Sequence, residues 1–266
     1  LVTFGNTSSA GVPESFVAET IVVPLNNPDA VEQAFLQFKN QIACVIIEPV
    51  PANNGLLIQT KEYLSFLREI CSQNKCLLIF DEVISGFRLG FSGAAGYFDI
   101  QPDLITFGKI IGGGLPVGAY AGSSEIMSFI SPEGNVYQAG TLSGNPVAMA
   151  AGIAQLSQCL RPNFYHELES KTYTFVNRLN SISNKNRLFR VFSFGSIFWI
   201  AFTDREIIRT AEEINPASMS FFRDMYHKLL EQGIYFGPSG YEVGFVSAAH
   251  SLSDFDCTLS AFDKSF

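Results

Sequence analysis

Two charged residues define the chemistry this chain can attempt. Asp81 and Lys109 each follow a short apolar run of strand character, at 76–80 (CLLIF) and 104–107 (LITF), and a third charged residue, Glu48, follows 43–47 (ACVII) in the same way. In an open parallel sheet, ligands gather beyond the carboxyl ends of the strands. Three strands ending on polar groups therefore converge on one site. An amine can condense with a carbonyl, and a nearby carboxylate can hold a proton on a basic nitrogen of the molecule so bound. Taken singly, a charged residue after a strand is also how an ordinary solvated loop begins.

Pyridoxal phosphate (PLP) needs this combination: a lysine amine for its aldehyde and a carboxylate against its pyridine nitrogen. An acid about 4 Å from that nitrogen, at an effective dielectric near 20, favours the protonated ring by about 4 kcal/mol, or roughly three pKa units. A protonated ring draws electrons from a carbon losing its proton. Val83 lies two residues beyond Asp81, on the same side of an extended chain, where it can pack on a ring face. Lys109 leads into 112–118 (GGGLPVG), whose glycines allow a sharp turn close to a bulky ligand; a plain turn before a strand at 119–122 explains them equally. In 140–146 (GTLSGNP), Thr141 and the adjacent amides offer a phosphate site. Capping by Asn145 with Pro146 at the first helical position accounts for the same residues without a ligand.

The elements that must carry these groups follow from periodicity. Asn27 and Pro28 open a helix expected through about residue 38, and Tyr63, Leu64, Phe66, Leu67, Ile70 and Cys71 share one face of a second. Apolar strands alternating with such helices predict crossover connections and a parallel sheet. From about residue 160 the texture changes to a long helix reaching 179, a strand pair at 188–192 and 196–202, a helix at 216–231, a strand near Ile234 and a last helix from about 253. The expected organisation is a large domain over 1–160 and a smaller α+β domain over 161–266. Leu1 is not an initiator and 1–14 (LVTFGNTSSAGVPE) reads as loop, so the chain is expected to begin inside a longer protein, with a shorter truncation at its end.

Composition narrows the functional classes. With 266 residues, 47% of them hydrophobic and a formal charge of −8, the chain can bury a large core but lacks the basic footprint of a nucleic-acid binder. No apolar run approaches the roughly 18 to 20 residues of a membrane span. The five cysteines form no CxxC pair and are odd in number, which fits reduced thiols in a cytoplasm. His166, His227 and His250 are too scattered for a metal set. The segment 77–82 (LLIFDE) also fits an ATPase Walker B strand with its acidic pair, but no GxxxxGK[ST] loop accompanies it and Lys109 goes unexplained.

The stretches 77–90 (LLIFDEVISGFRLG) and 102–114 (PDLITFGKIIGGG) resemble the lysine signature of class III PLP-dependent aminotransferases. More narrowly, EPV at 48–50 with Asn53 and Gly55, FDEVISGFR at 80–88, YQAGTLSGNPVAMAAGIA at 137–154 and EQGIYFGPSGYEVGFVSAAH at 231–250 resemble the glutamate-1-semialdehyde 2,1-aminomutase group of that family. The order is kept along nearly the whole chain, and GTLSGNP is closer to this group than to the HxSTFGGNP-like form of ordinary class III transaminases. The resemblance implies an α/β PLP-transferase fold of type I: a mostly parallel large-domain sheet with helices on both faces, plus a smaller α+β C-terminal domain. It makes Lys109 the Schiff-base lysine and proton shuttle, Asp81 the ring-nitrogen partner, Val83 the ring-packing residue and Asn53 a cofactor-site asparagine. Gly140 and Thr141 fall where a neighbouring subunit supplies phosphate contacts, which implies a homodimer. Glu242 matches an active-site glutamate near the substrate amine, although by itself it reads as a partly exposed strand glutamate.

By the same resemblance the cofactor alternates between pyridoxal 5'-phosphate and pyridoxamine 5'-phosphate, and the reaction moves an amine within glutamate-1-semialdehyde to give 5-aminolevulinate, a tetrapyrrole precursor. A class III aminotransferase acting between two substrates, and a noncatalytic domain that keeps the fold, are the nearer alternatives. The family's N-terminal portion, with part of the phosphate loop, a substrate-carboxylate arginine and most of a mobile loop, is missing; 8–13 (SSAGVP) resembles only the end of that loop. This stretch alone is therefore expected to bind PLP poorly or to be inactive.

Overall fold

The computed structural model of the chain describes residues 10–184 and 189–265. The first residues of the loop expected over 1–14, and Leu188 at the head of an expected strand, lie outside them. After a short helix α1 (Glu14–Val17), α2 (Pro28–Gln37) opens on Asn27, whose side chain accepts from the Ala30 N–H at 3.0 Å. Strand β1 (Cys44–Ile47) leads to α3 (Lys61–Asn74), where the Thr60 hydroxyl accepts from the Tyr63 amide. Lys75 ends α3 in the left-handed region at φ 56°, so that the Cys76 N–H reaches back to the Cys71 carbonyl and the chain turns directly into β2 (Leu77–Asp81). A short α4 (Gly93–Phe98) precedes β3 (Leu104–Phe107), and β4 (Ala119–Gly122) follows a single 3-10 turn at Lys109–Gly112.

These strands form one sheet in the order β1-β2-β3-β4, with β1, β2 and β3 parallel and β4 antiparallel to β3. The mostly parallel α/β architecture expected from the alternation is present. Helix α3 lies against β1 and β2, burying Leu64 and Leu67 beside Leu78 and Phe80, the last two 0% exposed. Each such fully buried side chain contributes about 1.5–3 kcal/mol. Arg68 of α3 bonds Asp103 at 2.7 Å, and the same carboxylate oxygen accepts from the Leu78 N–H. That fixes the entry of β3 beside the start of β2.

The remainder comprises α5 (Ser124–Met127), α6 (Pro146–Cys159), α7 (Phe164–Asn184), β5 (Arg190–Phe194), β6 (Ile197–Ala201), α8 (Met219–Glu231), β7 (Gly244–Phe245) and α9 (Leu252–Ser265). Strands β5, β6 and β7 form a second, antiparallel sheet. Every residue of β6 is buried. Ile197, Trp199 and Ala201 face the core of the parallel sheet, while Phe198 and Ile200 face a second core with Phe175, Met225 and Phe262 from α7, α8 and α9. Two buried faces at a period of two explain why IFWIA carries no polar residue.

One expected strand is absent. Ile234 belongs to the end of α8: Gly233, at φ 78°, and Ile234 donate to the Leu230 and Leu229 carbonyls, both at 2.9 Å. An amide used to close a helix is withdrawn from a ladder, and the third strand of the small sheet forms at Gly244–Phe245 instead.

Candidate active site

Asp81 is the last residue of β2 and stands in register with Thr106 of β3. Its Oδ1 accepts from the Val83 N–H at 3.0 Å and from the Thr106 hydroxyl at 3.2 Å. Oδ2 accepts no hydrogen bond from the described residues. The carboxylate is thus oriented by one oxygen and offers the other outward. Thr106 is the one polar side chain in LITF, and that interruption of an apolar strand was its sequence signal.

Lys109 begins the 3-10 turn after β3 at φ 49°, a left-handed conformation uncommon outside glycine and costing of order 1–3 kcal/mol. Neighbouring contacts hold it there. A side chain at Gly108 would press on Val83 Cγ1 at 3.2 Å, so the backbone before Lys109 runs against Val83. On the other side a Cβ at Gly152 of α6 would collide with the Ile111 carbonyl, and one at Gly113 with the Ala151 carbonyl. The Ala- and Gly-rich helix therefore packs backbone to backbone on the turn that carries the amine. Lys109 itself is exposed.

Glu48 joins this group from β1. Ile47 pairs with Phe80, so the next residue on each strand, Glu48 and Asp81, stand side by side. Burial pushes the Glu48 carboxyl above its ordinary value and the Asp81 charge adds to the rise; the Ala52 backbone amide and the Lys109 ammonium oppose it. One edge of the sheet thus gathers Glu48, Asp81, Thr106, Val83 and Lys109.

No hydrogen bond or ion pair among the described residues joins the other expected residues to Asp81 or Lys109. Asn53 is exposed at the tip of the turn after Glu48, whose base is tied down by the Gly55 N–H donating to the Tyr241 carbonyl at 2.7 Å. Gly140 and Thr141 are exposed in a turn closed by the Ser143 amide on the Gly140 carbonyl, ahead of the Asn145 cap of α6. Glu242 packs its carboxylate against Gly237 and lines a small cavity with Phe198, Phe222 and Phe236.

Two neighbours have structural duties that sequence did not disclose. Glu82 is 1% exposed and accepts from the Ala94 and Ala95 amides at 2.6 and 2.8 Å and from the Ser85 hydroxyl. Burial raises its carboxyl above the ordinary value, against the pull of those three donors. It holds the start of α4, a structural duty that accounts for the second acid of LLIFDE without a nucleotide. Arg88 is drawn inward with its guanidinium 3.9 Å from the centre of the Phe245 ring, and burial lowers its pKa to about 10. It links the loop after β2 to the second sheet.

The donor set suits PLP: an amine on a fixed turn, a carboxylate with one oxygen free at the end of the neighbouring strand, and a valine that bonds to the second and packs on the backbone before the first. Comparison with known proteins agrees. The chain belongs to the class-III aminotransferase family, whose model matches residues 5–259. It is 46% identical over 262 residues to a protein of Legionella pneumophila (strain Corby) named glutamate-1-semialdehyde 2,1-aminomutase, covering 98% of this chain and 61% of that protein. It therefore spans about six tenths of the length of the curated relatives it matches. An omega-transaminase from Sphaerobacter thermophilus superposes with a TM-score of 0.89 at 29% identity over 97% of this chain and 59% of its own. A transaminase solved with PLP bound gives 0.84 at 31%, with the same coverage.

Proposed function

We propose that the full-length protein is a PLP-dependent glutamate-1-semialdehyde 2,1-aminomutase, converting its substrate to 5-aminolevulinate for tetrapyrrole synthesis. The observation that carries the reading is the row of Asp81 and Lys109 at one sheet edge, in a chain 46% identical to a protein of that name. The bound cofactor supplies an electron sink and, in its amine form, the nitrogen that is exchanged. Lys109 would hold the cofactor through its amine, and that amine would move the proton at the substrate carbon. Asp81 Oδ2 holds a proton on the ring nitrogen, and Val83 packs on the ring face. Asn53 contacts the cofactor, Gly140 and Thr141 hold the phosphate of the neighbouring subunit, and Glu242 approaches the substrate amine.

A homodimer is part of this reading. Helix α6 is apolar around much of its circumference, and Val147 and Ile153 are each 67% exposed, a surface suited to a second copy. A cytoplasmic location is supported by five free cysteines, three of them buried. No helix among the described residues is long and apolar enough to cross a membrane.

Full-length protein supplied with glutamate-1-semialdehyde and no keto acid should form 5-aminolevulinate. A strict requirement for a second amine acceptor would make it an ordinary class III aminotransferase. Absence of a pyridoxyl group on Lys109 after borohydride reduction would refute the cofactor site.

A further inference from the structure

We infer that Glu48 is a positioning residue of this site, the second carboxylate at the strand ends, and that it sets the charge felt by the Lys109 amine. The inference rests on the PLP reading for its consequence in catalysis, but its electrostatic content belongs to the protein alone. The β1–β2 register puts Glu48 beside Asp81 at the ends of adjacent parallel strands, Thr106 stands in register with Asp81 on the next strand, and Lys109 opens the turn that follows it. Glu48 is half-buried, its carboxyl accepts from the Ala52 backbone amide, and no ion pair joins it among the described residues. The ionisable groups acting on it are Asp81 from β2 and Lys109 from the turn after β3. The loop at 49–52 (PVPA) brings none.

Two neighbouring acids at the rim of a sheet do not ionise independently. Asp81 has two donors fixing Oδ1, whereas Glu48 has the Ala52 amide and faces the Asp81 charge. Burial, with the Asp81 charge beside it, makes Glu48 take up its proton at a higher pH than an ordinary carboxyl. Each proton it takes removes one negative charge from the surroundings of Lys109.

Two measurements on the full-length protein test this. The first follows the 13C carboxyl resonance of Glu48 with pH, assigned by its loss in Glu48→Gln, in wild type and in Asp81→Asn. The midpoint should fall in Asp81→Asn, and an unchanged midpoint overturns the proposed coupling. The second follows the visible band of the bound cofactor with pH in wild type, Glu48→Gln and Glu48→Asp. Glutamine keeps the shape and an oxygen acceptor but not the charge, so its midpoint should drop by about half a pH unit or more, with aspartate restoring part of the shift. Superimposable wild-type and Glu48→Gln curves overturn the inference. Should borohydride fix no cofactor on Lys109, the PLP reading fails instead, and the resonance measurement still decides the role of Glu48.

Discussion

Replacing Asp81 by asparagine removes a charge and leaves the shape of the site almost intact. The amide oxygen can still accept from the Val83 N–H and the Thr106 hydroxyl, as Oδ1 does now at 3.0 and 3.2 Å. What changes is the outward atom, which becomes a donor where a protonated ring nitrogen needs an acceptor. At about 4 Å the lost attraction is about 4 kcal/mol for an effective dielectric of 20 and about 1 kcal/mol in bulk water. Asp81 is partly buried, so roughly 2–4 kcal/mol applies. With about 1.4 kcal/mol per decade, proton abstraction should slow between roughly 30-fold and 1000-fold. Single-turnover kinetics on the full-length enzyme, with cofactor occupancy measured separately, isolate the chemical step from weaker binding. A Asp81→Asn enzyme that is fully loaded and within about threefold of wild type would show that this carboxylate does not hold the ring proton.

Gly152→Ala should cost about 1–3 kcal/mol in urea unfolding, because its methyl group would enter the Ile111 carbonyl; it should also weaken cofactor trapping at Lys109, which rides on the same turn. Glu48→Gln should change thermal stability with pH. A carboxyl whose folded value lies above its unfolded one binds more protons in the native state, so wild type loses stability as pH rises through that window and the variant does not. Relative to wild type, the Glu48→Gln melting temperature should therefore climb from acid to neutral pH, and a flat difference counts against the buried charge. If the proposed homodimer forms through α6, Ile153→Glu in the full-length protein should give a monomer by sedimentation while leaving the far-ultraviolet circular dichroism unchanged.

Asp81 and Lys109 could be singled out in the sequence because one ends and the other closely follows an apolar strand, and strand ends in parallel sheets are where ligands gather. The bounds of β3 and β4 follow directly from LITF and AYAG. The antiparallel sense of β4 was not legible, since it depends on the 3-10 turn and on α6 filling the space beneath it. The duty of Glu82 was hidden as well. Next to Asp81 it looks like half of an acidic pair, and only the fold brings the Ala94 and Ala95 amides to it from twelve and thirteen residues away. Ile234 has the composition of a strand, yet the preceding glycine commits its amide to the end of α8. In each case a local pattern met a long-range partner that no window of sequence contains.

The shared strand β6 bears on how substrate can enter. Trp199 is 1% exposed and its indole donates to the Gly240 carbonyl at 2.8 Å, while Phe198, its neighbour on the opposite side, is sealed under α7 and α8. Prising the two halves apart would strip both rings of cover and break that indole bond. Such a hinge would cost several kcal/mol in lost apolar contact alone, at about 1.5–3 kcal/mol per large side chain. A hinge between the two sheets is therefore a costly way to open the site proposed at Lys109.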